Sequence, residues 1–196
     1  MLSGGGSAQV DAPNGDAVHP HPGGARWGVP VYFPSSPLKY IRKKSPDATV
    51  SYNDGSDPAA AAAFAKKSDV AIVFVTQWMS EGMDAHTLSL PHNQDALVEA
   101  VAAANPNTIV VLENGGPVSM PWAGKVKGIV ETWFPGIGGA QALADVLFGD
   151  VNPSGKLPAT FPKDDTQLPH PEIVGMDRSK NRGAVYVDGK GRKTQI

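Results

Sequence analysis

Short apolar, β-branched runs alternate along the middle of the chain with longer segments of helical periodicity. The apolar runs cover residues 69–76, 108–112 and 128–133. Continuous runs of this length predict strands that are covered on both faces, as the strands of parallel sheets are. Their alternation with helical segments predicts an α/β fold in which a mostly parallel sheet lies between helix layers.

Four helices are predicted from their caps and their periodicity, at residues 37–44, 57–67, 93–104 and 139–148. The second has a clear start, because Asp57 is a good N-cap, Pro58 suits the first helical position and the alanines that follow favour a helix. The third is expected to bury Leu97, Val101 and Ala104 on one face.

Two weaker strands are predicted at residues 48–52 and 155–161. Residues 11–37 are rich in Pro, Gly and His and have no periodicity, so they predict an irregular loop. The segment 177–196 is polar and basic, and we expect it to be poorly ordered.

Three loops follow the carboxyl ends of predicted strands. One holds Glu81, and the others cover residues 113–117 and 134–139. Ligands of parallel α/β sheets bind beyond the carboxyl ends of the strands. We therefore expect these three loops to converge on one edge of the sheet.

The composition excludes several classes of function. The charge is almost balanced, with 17 basic and 19 acidic residues and a net charge of −2, so no strong field favours nucleic acid or an anionic membrane. No apolar run is long enough to span a bilayer. Cysteine is absent, which excludes disulfides, thiolate nucleophiles and cysteine metal sites.

The glycine and histidine motifs give little support to other chemistries. Gln141 stands where a dinucleotide-binding loop starting at residue 136 needs its third glycine, so these glycines are interpreted as a tight strand-to-helix turn. No Gly-x-Ser-x-Gly elbow and no zinc pair on a helix are present. His86 and His92 lie in and just after the loop of Glu81, where a local role near a substrate stays open.

Carboxylates are the remaining chemical candidates. Glu81 precedes Gly82, which allows a sharp backbone turn, and stands three residues from Asp84 and three after Trp78. A carboxylic acid beside an aromatic ring in a cleft has a raised pKa and donates a proton near neutral pH. From the residues alone, the plainer interpretation is favoured: a surface loop with a solvated Glu81, in which Asp84 caps a turn.

A resemblance to a known family changes this balance. The segment SDVAIVFVTQWMSEGMDAHTLSLPHNQDALVEAVAAANPNTIVVLENGGPVSMPW resembles the second domain of glycoside hydrolase family 3, of the β-glucosidase type. The stretches GGGSAQV, PSSPLKYIRKKSPDATV and WFPGIGGAQALADVLFGDVNPSGKLPATFP extend the match. The resemblance covers residues 2–170, and several long motifs occur in the family order.

The resemblance implies a three-layer α/β sandwich, with a mostly parallel six-stranded sheet between helices, over residues 1–170. Residues 171–196 are then an irregular tail. In this family the domain packs against a barrel that carries the aspartate nucleophile of a retaining glycosidase, and that barrel is not part of this chain. The Glu of the S-E-G-x-D stretch matches the catalytic acid/base, so this role is carried to Glu81. Trp78 and Asp84 are expected to bind substrate, and no metal or cofactor is expected.

The implied partners are a β-glucoside or a short β-linked oligosaccharide and the barrel domain of the same enzyme, with no nucleic acid and no membrane. The apolar face that would meet the barrel is expected to be exposed in this chain, and a homodimer through that face is a further expectation. The family also favours a secreted or periplasmic location. The alternative is a non-catalytic α/β module that binds a sugar or a partner. If the chain alone hydrolyses glucosides, the carboxylates to test are Asp84, Glu113 and Asp150. Trp122 and Trp133 are interpreted as core or interface residues.

Overall fold

The computed structural model describes residues 2–3, 36–77, 79, 87–169, 185–187 and 193–195. The elements in chain order are β1 (Leu2–Ser3), α1 (Pro37–Lys44), α2 (Pro58–Ala65), β2 (Ala71–Gln77), α3 (Gln94–Ala104), β3 (Thr108–Asn114), β4 (Gly128–Glu131), α4 (Gly139–Leu147), β5 (Val185–Val187) and β6 (Lys193–Gln195). Two short 3₁₀ turns occupy Ala123–Lys125 and Asp165–Gln167.

The central sheet has the strand order β1-β2-β3-β4, and every pair is parallel. The pairing of β2 with β3 is continuous, from Ala71 opposite Thr108 to Gln77 opposite Asn114. The prediction of a parallel sheet is therefore confirmed. In the part of the chain that the structure describes, this sheet has four strands and not the expected six.

Helices cover both faces of the sheet. On one face, α2 and α3 pack on the alternate strand residues that include Val73, Val75 and Val110. On the other face, α1 and α4 pack on Phe74 and Val111. Because strand side chains alternate between faces, each strand contributes to both cores, which explains its unbroken apolar sequence. The expected three-layer arrangement is confirmed.

Side-chain caps set the starts of two helices. Ser36 Oγ accepts from Lys39 N at 3.2 Å before α1, and Asp57 Oδ1 accepts from Ala59 N at 2.8 Å before α2. A cap oxygen satisfies a backbone N–H that has no partner within the helix. The four predicted helices are therefore present, with ends that differ by no more than two residues from those predicted.

The two weak strand predictions are wrong. Within residues 48–52 no strand is formed and Tyr52 makes an isolated bridge, while the carbonyl of Val50 accepts from the Arg42 side chain at 3.4 Å. Residues 155–160 are exposed and form no strand, and Pro158 within them offers no N–H to a ladder.

Two further expectations need correction. In α3 the buried residues include Val98 and Ala102 rather than Ala104, because the helix turns these towards α2 and the sheet. The segment expected as an irregular tail contains β5 and β6, which pair antiparallel as a two-stranded ribbon. No helix within the described ranges has both the length and the apolar character needed to cross a membrane.

Candidate active site at the carboxyl edge of the sheet

Polar residues end the strands β2, β3 and β4 of the sheet. Gln77 is opposite Asn114 in the register, and Glu131 is opposite Leu112, two residues before Asn114. Gln77 and Asn114 are buried and Glu131 is half-buried. Because the strands are parallel, the loops that follow them leave the sheet at the same edge, as the sequence predicts.

The principal residues predicted for the site lie outside the described part of the chain. These are Trp78, Glu81 and Asp84, together with His86. Their roles therefore stay predictions. Met79, two residues before Glu81, is described, and it locates the start of this loop.

Met79 brings the loop after β2 into contact with the loop after β3. A Cβ atom added to Gly115 would lie 3.1 Å from Met79 Cβ and 3.0 Å from Phe134 Cε2, and one added to Gly116 would lie 3.3 Å from Met79 Sδ. A side chain at either glycine would make these contacts tighter than is usual for a Cβ atom. All three loops therefore meet around Gly115, as predicted from the sequence.

The loop after β4 gives this edge an apolar rim. Phe134 is 53% exposed and Ile137 is 71% exposed, a large fraction for side chains of this size. Trp133, which precedes Phe134, has a positive φ of 54°, and its ring centroid is 6.1 Å from that of Phe161. The positive φ of 65° at Gly136 confirms the interpretation of this glycine segment as a tight turn.

Glu131 is a carboxyl group at this edge that the sequence analysis did not single out. Its Oε1 accepts from Trp133 N at 2.7 Å. Burial raises the pKa of Glu131, against hydrogen bonds from Trp133 N–H, the Asn114 amide and Thr132 N–H that lower it. Among the described residues, neither Glu131 Oε2 nor Asn114 Oδ1 has a donor in hydrogen-bond geometry, although both oxygens are buried. No clear signal for Glu131 was present in the sequence, because this residue lies inside the strand predicted over residues 128–133.

Gln94, the first residue of α3, contacts the end of β2. Its Oε1 accepts from Thr76 N at 2.8 Å, and its Nε2 donates to Thr76 O at 2.8 Å and to Pro91 O at 2.9 Å. The side chain is thus bonded immediately before and after the loop that holds Glu81. His92 and Asn93, which precede it, both have positive φ values, of 55° and 59°.

Asp165 contacts the same loop where it ends. Its Oδ2 accepts from Thr87 Oγ1 at 3.1 Å and its Oδ1 accepts from Leu88 N at 3.0 Å. The carbonyl of Leu88 in turn accepts from Ser119 N at 2.8 Å, in the segment after β3. Three segments far apart in sequence are therefore joined beside the site.

The other candidates from the sequence lie in different surroundings. Glu113 is buried within β3, opposite Thr76, rather than in a loop. Asp150 follows the last turn of α4, where its carboxylate and that of Asp145 pair with Lys44. His92 is exposed. In the described ranges, no group of three or more His, Asp or Glu side chains is placed to hold a metal ion.

The fold and this edge define the class: a three-layer α/β domain with its candidate site at the carboxyl ends of parallel strands. A family profile of the glycosyl hydrolase family 3 C-terminal domain matches residues 1–193. The chain belongs to this family.

Relatives and solved structures agree with the family. The chain is 52% identical over 102 residues to a β-glucosidase of Rhizobium radiobacter. The matched region covers 50% of this chain and 12% of that enzyme. It is similar to the crystal structure of a β-D-glucoside glucohydrolase of Trichoderma reesei, with a TM-score of 0.67, 31% identity and coverage of 83% of this chain and 26% of that one. The crystal structure of DesR, a β-glucosidase of Streptomyces venezuelae in complex with D-glucose, matches with a TM-score of 0.53 and 51% identity over 54% of this chain and 14% of that one. The chain thus spans between 12% and 26% of the length of these relatives.

Proposed function

We propose that this chain is the part of a β-glucosidase that supplies the catalytic acid/base for retaining hydrolysis of terminal β-glycosidic bonds. Glu81 is the acid/base, and Trp78 and Asp84 contact the sugar. The substrate is a β-glucoside or a short β-linked oligosaccharide, by analogy with the β-glucosidases that the chain resembles. The nucleophile is an aspartate of a barrel domain, which is the partner of this site.

The meeting of three loops around Gly115 is the observation that carries this proposal. Met79 and Phe134 both contact that glycine position, and Met79 is two residues from Glu81. The loop that holds Glu81 therefore begins at the edge of the sheet where ligands of such folds bind. The rim of Phe134 and Ile137 provides apolar surface for the partner domain on the same edge.

Each proton has a defined place in the mechanism. In the first step, Glu81 donates its proton to the glycosidic oxygen while the aspartate attacks the anomeric carbon, the bond to the leaving group breaks, and a glycosyl-enzyme forms. In the second step, the Glu81 carboxylate takes a proton from water as that water attacks the anomeric carbon and releases the aspartate. The two carboxyl groups would then be about 5 Å apart across the bond that breaks.

The experiment compares the chain with its Glu81→Ala variant, each mixed with a barrel domain from a family 3 β-glucosidase. Hydrolysis of an alkyl β-glucoside should fall by ~10²–10⁴-fold in the variant, because a poor leaving group needs the proton. The first step with a dinitrophenyl β-glucoside should be retained, because its leaving group needs no acid. Added azide should then restore turnover and yield a β-glucosyl azide.

Glu99→Gln is the matched control, since Glu99 is a surface carboxylate on α3 that pairs with Lys125. Its activity should equal that of the parent chain. Equal losses on both substrates in Glu81→Ala, or no loss on either, would contradict the assignment. Without the barrel domain the chain should show little turnover, because the covalent route lacks its nucleophile.

Two finer features belong to the same proposal. The intact domain has a six-stranded sheet, and the support for this is that all four residues of β4 are only half-buried, whereas most residues of β2 and β3 are buried. Without its barrel, the chain forms a homodimer through the rim of Phe134 and Ile137. Sedimentation of the parent chain beside Ile137→Lys tests this dimer, which the lysine should dissociate.

A further inference from the structure

Two side chains from outside the Glu81 loop hold its two ends. Gln94 is bonded to the backbone of Thr76 at the entry, and Asp165 is bonded to Thr87 and Leu88 at the exit. The residues between these anchor points are 77–86, which include Glu81. We infer that Gln94 and Asp165 are positioning residues that fix the two ends of this loop, at Thr76 and at Thr87 and Leu88. Their effect on catalysis rests on the function proposed above.

Gln94 behaves as a one-residue substitute for a strand. Within the described residues β1 pairs with β2 at Ile72 and Val73, and Thr76 lies three residues further along β2. The Gln94 amide accepts from Thr76 N–H and donates to Thr76 C=O, as the backbone of a neighbouring strand would. A primary amide is the side-chain group that offers both a donor and a strong acceptor in this geometry.

The third hydrogen bond of Gln94 connects the segment before the loop to the segment after it. Nε2 also donates to Pro91 O, so one amide joins the residue before the loop to the residues that return from it. Gln94 is buried, at 7% exposed, and its backbone is fixed as the first residue of α3. The anchor is therefore rigid, since a buried side chain with three hydrogen bonds has few alternative rotamers that satisfy its polar atoms.

Asp165 provides the second anchor from a distant part of the chain. It lies in the 3₁₀ turn Asp165–Gln167, which Asp164 caps by accepting from Thr166 N at 3.0 Å. Neighbouring aspartates thus have different tasks: Asp164 orders its own turn, and Asp165 reaches 77 residues back to Leu88. This pair offers a matched comparison between local order and loop anchoring.

Amide hydrogen exchange of the 196-residue chain tests the anchors directly. The variants are Gln94→Glu, Gln94→Met and Asp165→Ala, with Gln141→Met, on the exposed face of α4, and Asp164→Ala as controls. Glutamate keeps the shape and the acceptor but loses the donor to Thr76 O and Pro91 O. We expect the two Gln94 variants to exchange about tenfold faster in peptides covering residues 76–88, because each loses at least one buried bond. Asp165→Ala should accelerate amide exchange at the end of the loop, near Thr87 and Leu88. Amide exchange in β3 and α4 should be the same in all variants as in the parent.

A catalytic measurement separates positioning from general stability. With the barrel domain present, Gln94→Glu and Asp165→Ala should lower kcat with little change in KM. The loss should be larger on an alkyl β-glucoside than on a dinitrophenyl β-glucoside, because a displaced acid fails most where the leaving group needs a proton. A merely structural defect would lower both rates together.

The outcomes distinguish this inference from the proposed function. Unchanged exchange of residues 76–88 in all three variants, or complete exchange of these residues within seconds in the parent chain, overturns the inference. Faster exchange in the variants while Glu81→Ala keeps full activity supports the anchors and overturns the proposed function. If either Gln94 variant does not fold, Asp165→Ala against Asp164→Ala still decides the question, because Asp165 lies in a surface turn.

Discussion

Trp122 Nε1 donates a hydrogen bond of 2.8 Å to Asp95 Oδ1 and thereby joins the segment after β3 to the first turn of α3. Trp122 is fully buried in the core between the sheet and the helices α2 and α3. The other oxygen of Asp95 accepts from Leu90 N at 3.3 Å. A single carboxylate thus connects the core to the chain that returns from the Glu81 loop.

The variant Trp122→Phe should be less stable than the parent chain. It removes the only indole donor to Asp95 among the described residues and leaves part of the core unfilled. We expect the free energy of unfolding in urea to fall by about 2 kcal/mol, as for a lost hydrogen bond to a charged group. Asp95→Asn, which keeps an acceptor oxygen, should cost less. An equal loss in the two variants would contradict this explanation.

The stability of the chain should depend on pH through Glu131. Burial raises the pKa of this carboxyl in the folded state above its ordinary value. The folded state therefore binds the proton more readily than the unfolded state, whose pKa is about 4.3. The stability that the raised pKa of Glu131 contributes is fully present when the pH is below the pKa of the unfolded state. It is lost as the pH rises through the pKa of the folded state.

The variant Glu131→Gln should remove this loss. The difference in unfolding free energy between Glu131→Gln and the parent should grow in favour of the variant as the pH rises above about 4.3. Urea unfolding at several pH values from acid to neutral measures it, and Glu99→Gln is the surface control. A difference that does not change with pH would show that Glu131 is not protonated more readily in the folded state.

Two adjacent glycines should respond differently to alanine. A Cβ added to Gly139 would lie 2.3 Å from Pro135 Cβ and 2.7 Å from Pro135 Cγ, whereas one added to Gly138 meets nothing within 4 Å. Because the proline ring cannot move aside, Gly139→Ala should cost about 1–3 kcal/mol in thermal or urea unfolding. Gly138→Ala should be neutral or slightly stabilising, by up to ~1 kcal/mol, because it restricts the unfolded chain. Similar behaviour of the two variants would contradict this packing.

The N-cap of α2 should contribute measurably to stability. Asp57 Oδ1 accepts from Ala59 N at 2.8 Å and from Ala60 N at 3.3 Å. Replacing Asp57 by alanine should lower the free energy of unfolding by about 1 kcal/mol, and Asp57→Asn should restore most of it. Asp47→Ala, in an exposed turn, serves as the control. No recovery in Asp57→Asn would indicate that the cap geometry is not the cause.

The sequence predicted the helices and the buried strands because their signals are local. Asp57 with Pro58, and the apolar residues 71–75, report their own surroundings through capping and burial. The convergence of the loops also followed from the sequence, since it depends only on parallel strands. The helix caps and the buried strands can be predicted because each depends on residues that are close together in the sequence.

The anchors and the buried carboxyl could not be predicted, because they depend on contacts between distant residues. Asp165 reaches Thr87 across 78 positions, and Gln94 reaches Thr76 across 18. Neither residue belongs to a periodic pattern that would reveal its partner. The strand that was wrongly predicted at 155–161 has a different explanation. The composition of this segment permits a strand, but no neighbouring strand pairs with it in the described part of the chain.

The order of the strands along the chain has a consequence for how the domain folds. β2 and β3 pair over seven residues each and are separated only by the Glu81 loop and α3, whereas β1 must be brought from about 70 positions away to pair with β2. Closing a short chain loop costs less entropy than closing a long one, so contacts between neighbours in sequence form early. The unit of β2, α3 and β3 is therefore the expected folding nucleus. The segment that holds the candidate catalytic glutamate is enclosed within that nucleus, so its Gln94 anchor forms early, whereas its Asp165 anchor, which lies outside the nucleus, forms later.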